Sequence, residues 1–264
     1  MTIRPSIKAT RNTLLGIIGF LLIISATSYY VGLQAESDKL DRLSLYLNFN
    51  AEMSVPTYFS VLMLVASASL LSLIAFVRYK NRQPLRFYWP VLAAGFWFMS
   101  LDEYAGLHER LDGASKAVGL DEYLAWGWVV SGMIIVILTI AIFMPFLLKL
   151  PKATRYQFIV AGSVFVGGAV VIETLQSIYY GHAERTAAYF IYYTVEELFE
   201  MVGLVIFITA LMQYIRDEIG ELRFSVANQA VTESPAQDDV AQAREKHAVA
   251  DRPEPHQTRQ HSVV

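Results

Sequence analysis

Acidic side chains lie inside apolar segments of this sequence, and they are the residues best suited to chemistry. The segment DEYAGLHE spans residues 102–109, the segment EELFE spans residues 196–200, and Glu173 interrupts a third apolar stretch. A charge at the centre of a bilayer costs about 3 kcal/mol even on insertion scales, so such residues usually face a bundle interior and usually have a function. The three segments therefore predict one functional site.

The spacing of these acids predicts which of them share a helix face. Asp102 and Glu109 are seven residues apart, and Glu196 and Glu200 are four apart, so each pair lies on one stripe of its helix. At about 1.5 Å per residue, the acids of all three helices fall in the outer half of the membrane. His108 lies off the stripe, although Gly106 could loosen the helix and let it turn inward.

The acids have no Lys or Arg beside them within the apolar stretches, so either protons or a metal ion must neutralise some of them. Carboxylates with an imidazole suit a divalent zinc, iron or manganese ion. We predict that the metal ligands are Asp102, His108, Glu109, Glu173 and Glu196. Glu200 and Glu197 are the predicted catalytic residues, which handle protons during hydrolysis of a lipid or another hydrophobic substrate.

Two other functions fit the same residues. In a proton- or cation-coupled transporter, the acids would exchange protons or bind a cation during transport. In a structural or sensory membrane subunit, they would form a polar network that fixes helix packing. The sequence leaves these alternatives open, together with the possibility of a homodimer.

Composition and hydropathy predict an all-α integral membrane protein with six transmembrane helices. The chain has 264 residues, 55% of them hydrophobic, and no cysteine, which excludes disulfides and cysteine nucleophiles. A hydrocarbon layer of about 30 Å needs roughly 20 apolar residues per helix. The predicted spans cover residues 13–33, 57–76, 87–108, 123–148, 156–180 and 187–215.

The distribution of charge predicts how the chain is oriented. Cytoplasmic loops retain Lys and Arg, and 16 of the 21 such residues fall on the side of the two termini, so both termini are predicted to be cytoplasmic. The first span could instead be a cleaved signal peptide. Residues 221–264 are polar and are predicted to be a disordered tail. The net charge of −3 does not suggest a nucleic-acid partner, so the expected partner is membrane lipid.

The two acidic segments also carry a family resemblance. The Asp-Glu-x4-His-Glu segment at 102–109 and the later Glu-Glu-x-x-Glu segment at 196–200 resemble those of a group of uncharacterised bacterial multi-pass membrane proteins. The likeness covers the third to the sixth predicted helix. It implies a shared site, a place in the bacterial inner membrane, and no established activity.

Overall fold

The computed structural model describes residues 6–34, 45–49, 51, 53–108, 119, 126–179 and 186–220. These residues form helices and no strand, which confirms the all-α prediction for this part of the chain. The predicted disordered tail at 221–264 lies outside the described residues. The α-helices are α1 (Ile7–Gln34), α2 (Val55–Lys80), α3 (Tyr88–Ala105), α4 (Trp128–Lys149), α5 (Lys152–Val166), α6 (Glu173–Tyr179) and α7 (Ala187–Tyr214).

Two π-helical stretches lengthen these helices. The first, Gly167–Ile172, joins α5 to α6 without a break, and the second, Ile215–Ile219, continues α7. A π-helical stretch adds about one residue per turn and often occurs at a functional site. The first one directly precedes Glu173.

Within the described residues, five helices are long and apolar enough to cross a membrane: Ile7–Gly32, Val55–Lys80, Trp128–Lys149, Lys152–Tyr179 and Ala187–Ile219. Five of the six predicted spans therefore correspond to helices that could cross a membrane, and six spans are not confirmed. The remaining span, predicted at 87–108, corresponds to α3, which has only 18 residues. Asp102 and Glu103 lie in its last turn and lower its mean hydropathy.

Several helix ends differ from the prediction for local reasons. The first helix starts at Ile7 and not at 13, because Lys8 and Arg11 are good helix formers and continue the helix into polar sequence. The fourth helix starts at Trp128 and not at 123. The fifth starts directly after Pro151. Proline lacks a backbone N–H and its ring clashes with a preceding helical turn, so the helix does not extend to residues before it. The third stops at Ala105, because Gly106 adopts a left-handed conformation with φ of 54°.

Helix α7 is the central helix of the described bundle. It packs against α1, α2 and α5, while α2 and α3 form a tightly packed antiparallel pair. Its buried side chains include Met201, Leu204, Val205 and Ile208. By contrast, α4 exposes large aliphatic side chains along most of its length, among them Ile137 at 65%. An exposed apolar surface of this kind is suited to lipid tails.

Candidate functional site

The acidic residues lie at one end of the bundle, which we call the acidic end. It is formed by the last turn of α3, the first turn of α4, the π-helical stretch with α6, and the first half of α7. These parts are distant in sequence and are joined by side-chain contacts.

The end of α3 forms a pair between Asp102 and His108. After Gly106 reverses the chain, the backbone N–H of His108 donates to Oδ1 of Asp102 at 2.8 Å. The ring atom Nδ1 of His108 lies 3.0 Å from Oδ2 of the same carboxylate. The carboxylate therefore fixes both the backbone and the imidazole of His108. About a third of the His108 side chain (33%) is exposed, so the pair lies at the edge of the site.

Trp128 connects this pair to Glu173. Its ring packs edge-on against the His108 ring, with 4.7 Å between centroids. Its indole Nε1 donates to Oε1 of Glu173 at 2.7 Å. A single side chain in the first turn of α4 therefore positions groups from α3 and α6.

The π-helical stretch determines where Glu173 lies. The backbone N–H of Glu173 donates to the carbonyl of Gly168, five residues earlier, which is the π-helical pattern. The extra residue in this turn rotates Glu173 relative to the face that a continuous α-helix would give it. An ideal helical wheel therefore does not describe this position.

Five glutamates meet at the acidic end, and we call them the glutamate cluster: Glu103, Glu173, Glu196, Glu197 and Glu200. The side chains of Glu196 and Glu173 approach each other across the contact between α7 and α6. Glu103, on α3, is close enough for its charge to act on Glu196, Glu197 and Glu200. Glu103 is in turn close enough to interact with His108 and Asp102.

Glu173 and Glu196 are close enough for a hydrogen bond between their carboxyl groups when one of them carries a proton, since an ionised carboxylate only accepts hydrogen bonds. Among the described residues, the charges close enough to act on Glu197 and Glu200 all belong to other glutamates. Carboxyl groups brought together in this way can share protons.

Close helix packing brings the cluster together at Gly168. A Cβ atom built on Gly168 would lie 2.6 Å from the backbone carbonyl oxygen of Glu196 and 3.1 Å from Cγ of Glu200. No side chain fits there without a shift of the backbone. Gly168 therefore permits the α7 backbone to approach the π-helical stretch at the level of the cluster.

Several polar atoms near these positions are buried without a hydrogen-bond partner in the described part of the chain. They are Oε2 of Glu197, Oε1 of Gln176 and Oγ1 of Thr194. Native proteins rarely leave such atoms unsatisfied, and water or a bound ligand commonly occupies such positions. The interior between α6 and α7 is therefore polar enough to bind water or a small ion.

The described residues do not support the predicted metal site. No three His, Asp or Glu side chains among them are arranged to hold a metal ion. Asp102 is directed at His108, and Glu173 at Trp128 and Glu196. Glu109, a predicted ligand, lies outside the described residues.

The structure also gives a role to residues that the sequence placed elsewhere or did not single out. Glu103 and Glu197 fall off the predicted stripes, yet both belong to the cluster. In the sequence, Trp128 is only an aromatic residue near the start of a predicted helix. Its depth in the membrane, which matches that of a buried acid, could have identified it as a hydrogen-bond donor to that acid.

Comparisons with known proteins place the chain in a family without an assigned activity. The model of a family described as a domain of unknown function (DUF8692) matches residues 14–215. A search of curated proteins and a search of solved structures each found no match. The matched segment includes every residue of the glutamate cluster.

Proposed function

Because the chain belongs to the DUF8692 family, to which no activity is assigned, we propose its function from the geometry of the acidic end. We infer a transporter of six spans in the bacterial inner membrane, with both termini in the cytoplasm and the acidic end facing outward. Its glutamate cluster takes up and releases protons during transport. The sixth span in this proposal is α3.

The approach of Glu173 to Glu196 within the glutamate cluster carries this proposal. Asp, Glu and His side chains inside membrane proteins form the proton relays of pumps and transporters. The remaining acids supply further positions for a proton, and His108 provides a titratable group at the exposed edge. Glu103 is close enough for its charge to interact with both His108 and Glu200 of α7.

The apolar layer beside the cluster favours a transporter over an open channel. Continuing along α7 from Glu200, the buried side chains include Met201, Leu204, Val205 and Ile208. This packed layer separates the cluster from the other end of the bundle in the described part of the chain. A proton that enters from the acidic end must therefore wait for a rearrangement before it leaves at the opposite end.

Flux measurements in proteoliposomes test the proposal. We expect vesicles that contain the full chain to acidify faster than protein-free vesicles under an inward pH gradient, with potassium and valinomycin present to remove counter-charge. A pH-sensitive dye inside the vesicles reports the rate. Rates equal to those of protein-free vesicles, both with the pH gradient alone and with an added sodium gradient, would contradict the proposal.

Hydrolysis of a lipid or hydrophobic substrate remains a second candidate, and the Asp102–His108 pair favours it. A carboxylate that orients an imidazole is a common arrangement for general acid–base catalysis. In the metal-dependent form predicted from the sequence, zinc, iron or manganese would be bound by the acidic end.

Elemental analysis separates this metal-dependent enzyme from the transporter. We expect purified protein to contain substoichiometric zinc, iron and manganese, because the described residues bring no three ligands together. The same measurement on the Asp102→Ala variant is the control. A stoichiometric metal in the parent protein that is lost in Asp102→Ala would support the enzyme and count against the transporter.

A further inference from the structure

The connection between α2 and α3 forms a small basic cavity at the end of the bundle opposite the acidic end. Tyr79, Lys80, Arg82 and Arg86 line a space of about 420 Å³. Three of these four side chains are cationic. A cavity of this size accommodates a phosphate group with part of a lipid headgroup.

The backbone of this connection places Arg82 in a conformation that favours glycine. Helix α2 ends with the N–H of Gln83 donating to the carbonyl of Arg78 at 3.0 Å, and the N–H of Arg82 to that of Tyr79 at 3.1 Å. This pattern is the Schellman motif, in which glycine usually occupies the left-handed position. Here that position is held by Arg82, with φ of 51°. A strained non-glycine residue at such a position suggests that its side chain has a function.

Aromatic rings hold the neighbouring cation in place. The Arg86 guanidinium lies over the rings of Phe87 and Tyr79, at 4.9 and 5.9 Å from their centroids. Tyr79 and Phe87 are 61% and 62% exposed. Exposed aromatic residues at the ends of membrane helices are typical of the level of lipid headgroups. The cavity therefore opens where headgroups would lie.

The cations that line the cavity form no ion pair among the described residues. The nearby Arg78 lies 3.7 Å from a carboxylate oxygen of Glu218 and donates to the hydroxyl of Tyr214. In contrast, none of the ion pairs formed among the described residues involves Lys80, Arg82 or Arg86. Three positive charges thus face one small cavity, and an anion would relieve their repulsion.

We propose that this cavity binds the phosphate group of an anionic membrane lipid, with Lys80, Arg82 and Arg86 as the contacting cations. Guanidinium groups can bind a phosphate with two parallel hydrogen bonds, and a lysine adds a point charge. Basic pockets at the ends of membrane helices are known to hold such headgroups. This assignment is independent of the proton-handling function proposed for the acidic end.

Thermal unfolding of the detergent-solubilised full chain tests the assignment. We expect added phosphatidylglycerol to raise the Tm of the parent protein, because a ligand that binds only the folded state stabilises it. Zwitterionic phosphatidylcholine should give a much smaller rise. Inorganic phosphate at the same concentration is the third arm, and it distinguishes a lipid headgroup from a soluble anion.

Arg82→Gly is the decisive variant, because glycine suits the left-handed position and removes only the side chain. Its Tm without lipid should equal or exceed that of the parent, while the rise caused by phosphatidylglycerol should fall by at least about half. Lys149→Gln, an exposed lysine at the end of α4, is the matched control and should retain the full rise. An unchanged rise in both Arg82→Gly and Arg86→Gln would overturn the proposal. An equal rise with inorganic phosphate would overturn its assignment to a lipid.

Discussion

Replacing Glu196 by Gln is expected to abolish proton flux and to leave the fold intact. The amide of glutamine can donate a hydrogen bond to Glu173, so the contact between α7 and α6 is kept. The amide cannot take up or release a proton. We expect the protein-dependent rate of vesicle acidification to fall by at least ~100-fold, the lower end of the typical contribution of a proton-transferring group.

Two further variants show whether flux depends on the glutamate cluster or on any acidic residue of the chain. Glu173→Gln should reduce flux to the same extent, because it removes the other carboxyl group of the Glu173–Glu196 pair. Asp217→Asn changes an exposed acid beyond the end of α7, paired with Arg216, and should keep the parent rate. The Tm of each variant should lie within a few degrees of the parent. Parent-like flux in Glu196→Gln would refute a role for the pair in transport.

The class of fold could be predicted from the sequence because it depends on hydropathy averaged over about 20 residues. Five of the six predicted spans correspond to helices of sufficient length and apolarity, although single ends move by several residues. A long apolar stretch has few alternatives to a helix in lipid, since its backbone groups must be satisfied internally. The helix ends depend on single residues such as Pro151 and Gly106, and a hydropathy average over a long window does not detect them.

The arrangement of the site was harder to predict because it depends on departures from ideal helices. Asp102 and Glu109 share a stripe only if α3 continues past Gly106, and the left-handed Gly106 ends it there. His108 consequently folds back onto Asp102. The π-helical stretch likewise changes the direction of Glu173. No spacing rule that assumes a continuous α-helix can place these side chains.

The contribution of Trp128 is a tertiary contact and has no local signature. Its indole reaches Glu173, 45 residues away in the sequence. Its position near a helix start is typical of aromatic residues at a membrane interface, which explains why it did not stand out. A buried acid requires a hydrogen-bond donor, and this requirement is what connects Trp128 with Glu173.

Gly168→Ala is expected to damage both stability and flux, because it inserts one methyl group where two backbones meet. The new Cβ would lie 2.6 Å from the carbonyl oxygen of Glu196, closer than real Cβ atoms come, and 3.0 Å from Cβ of Phe199. The π-helical stretch and α7 must then separate. Overpacking of this kind costs about 1–3 kcal/mol. We expect a clear loss of Tm in detergent and a loss of flux, since Glu173 and Glu196 move apart.

A glycine on the same helix provides the matched control. A Cβ on Gly162, in α5, would meet nothing within 4 Å. Gly162→Ala should therefore be neutral or should stabilise its helix by up to about 1 kcal/mol. Gly203→Ala separates packing from proton transfer, because its Cβ would meet the backbone N of Phe165 at 2.8 Å, one turn beyond the cluster. It should lower Tm and reduce flux less than Gly168→Ala does. If Gly168→Ala matches Gly162→Ala in both Tm and flux, the close contact of α7 with the π-helical stretch is not what assembles the glutamate cluster.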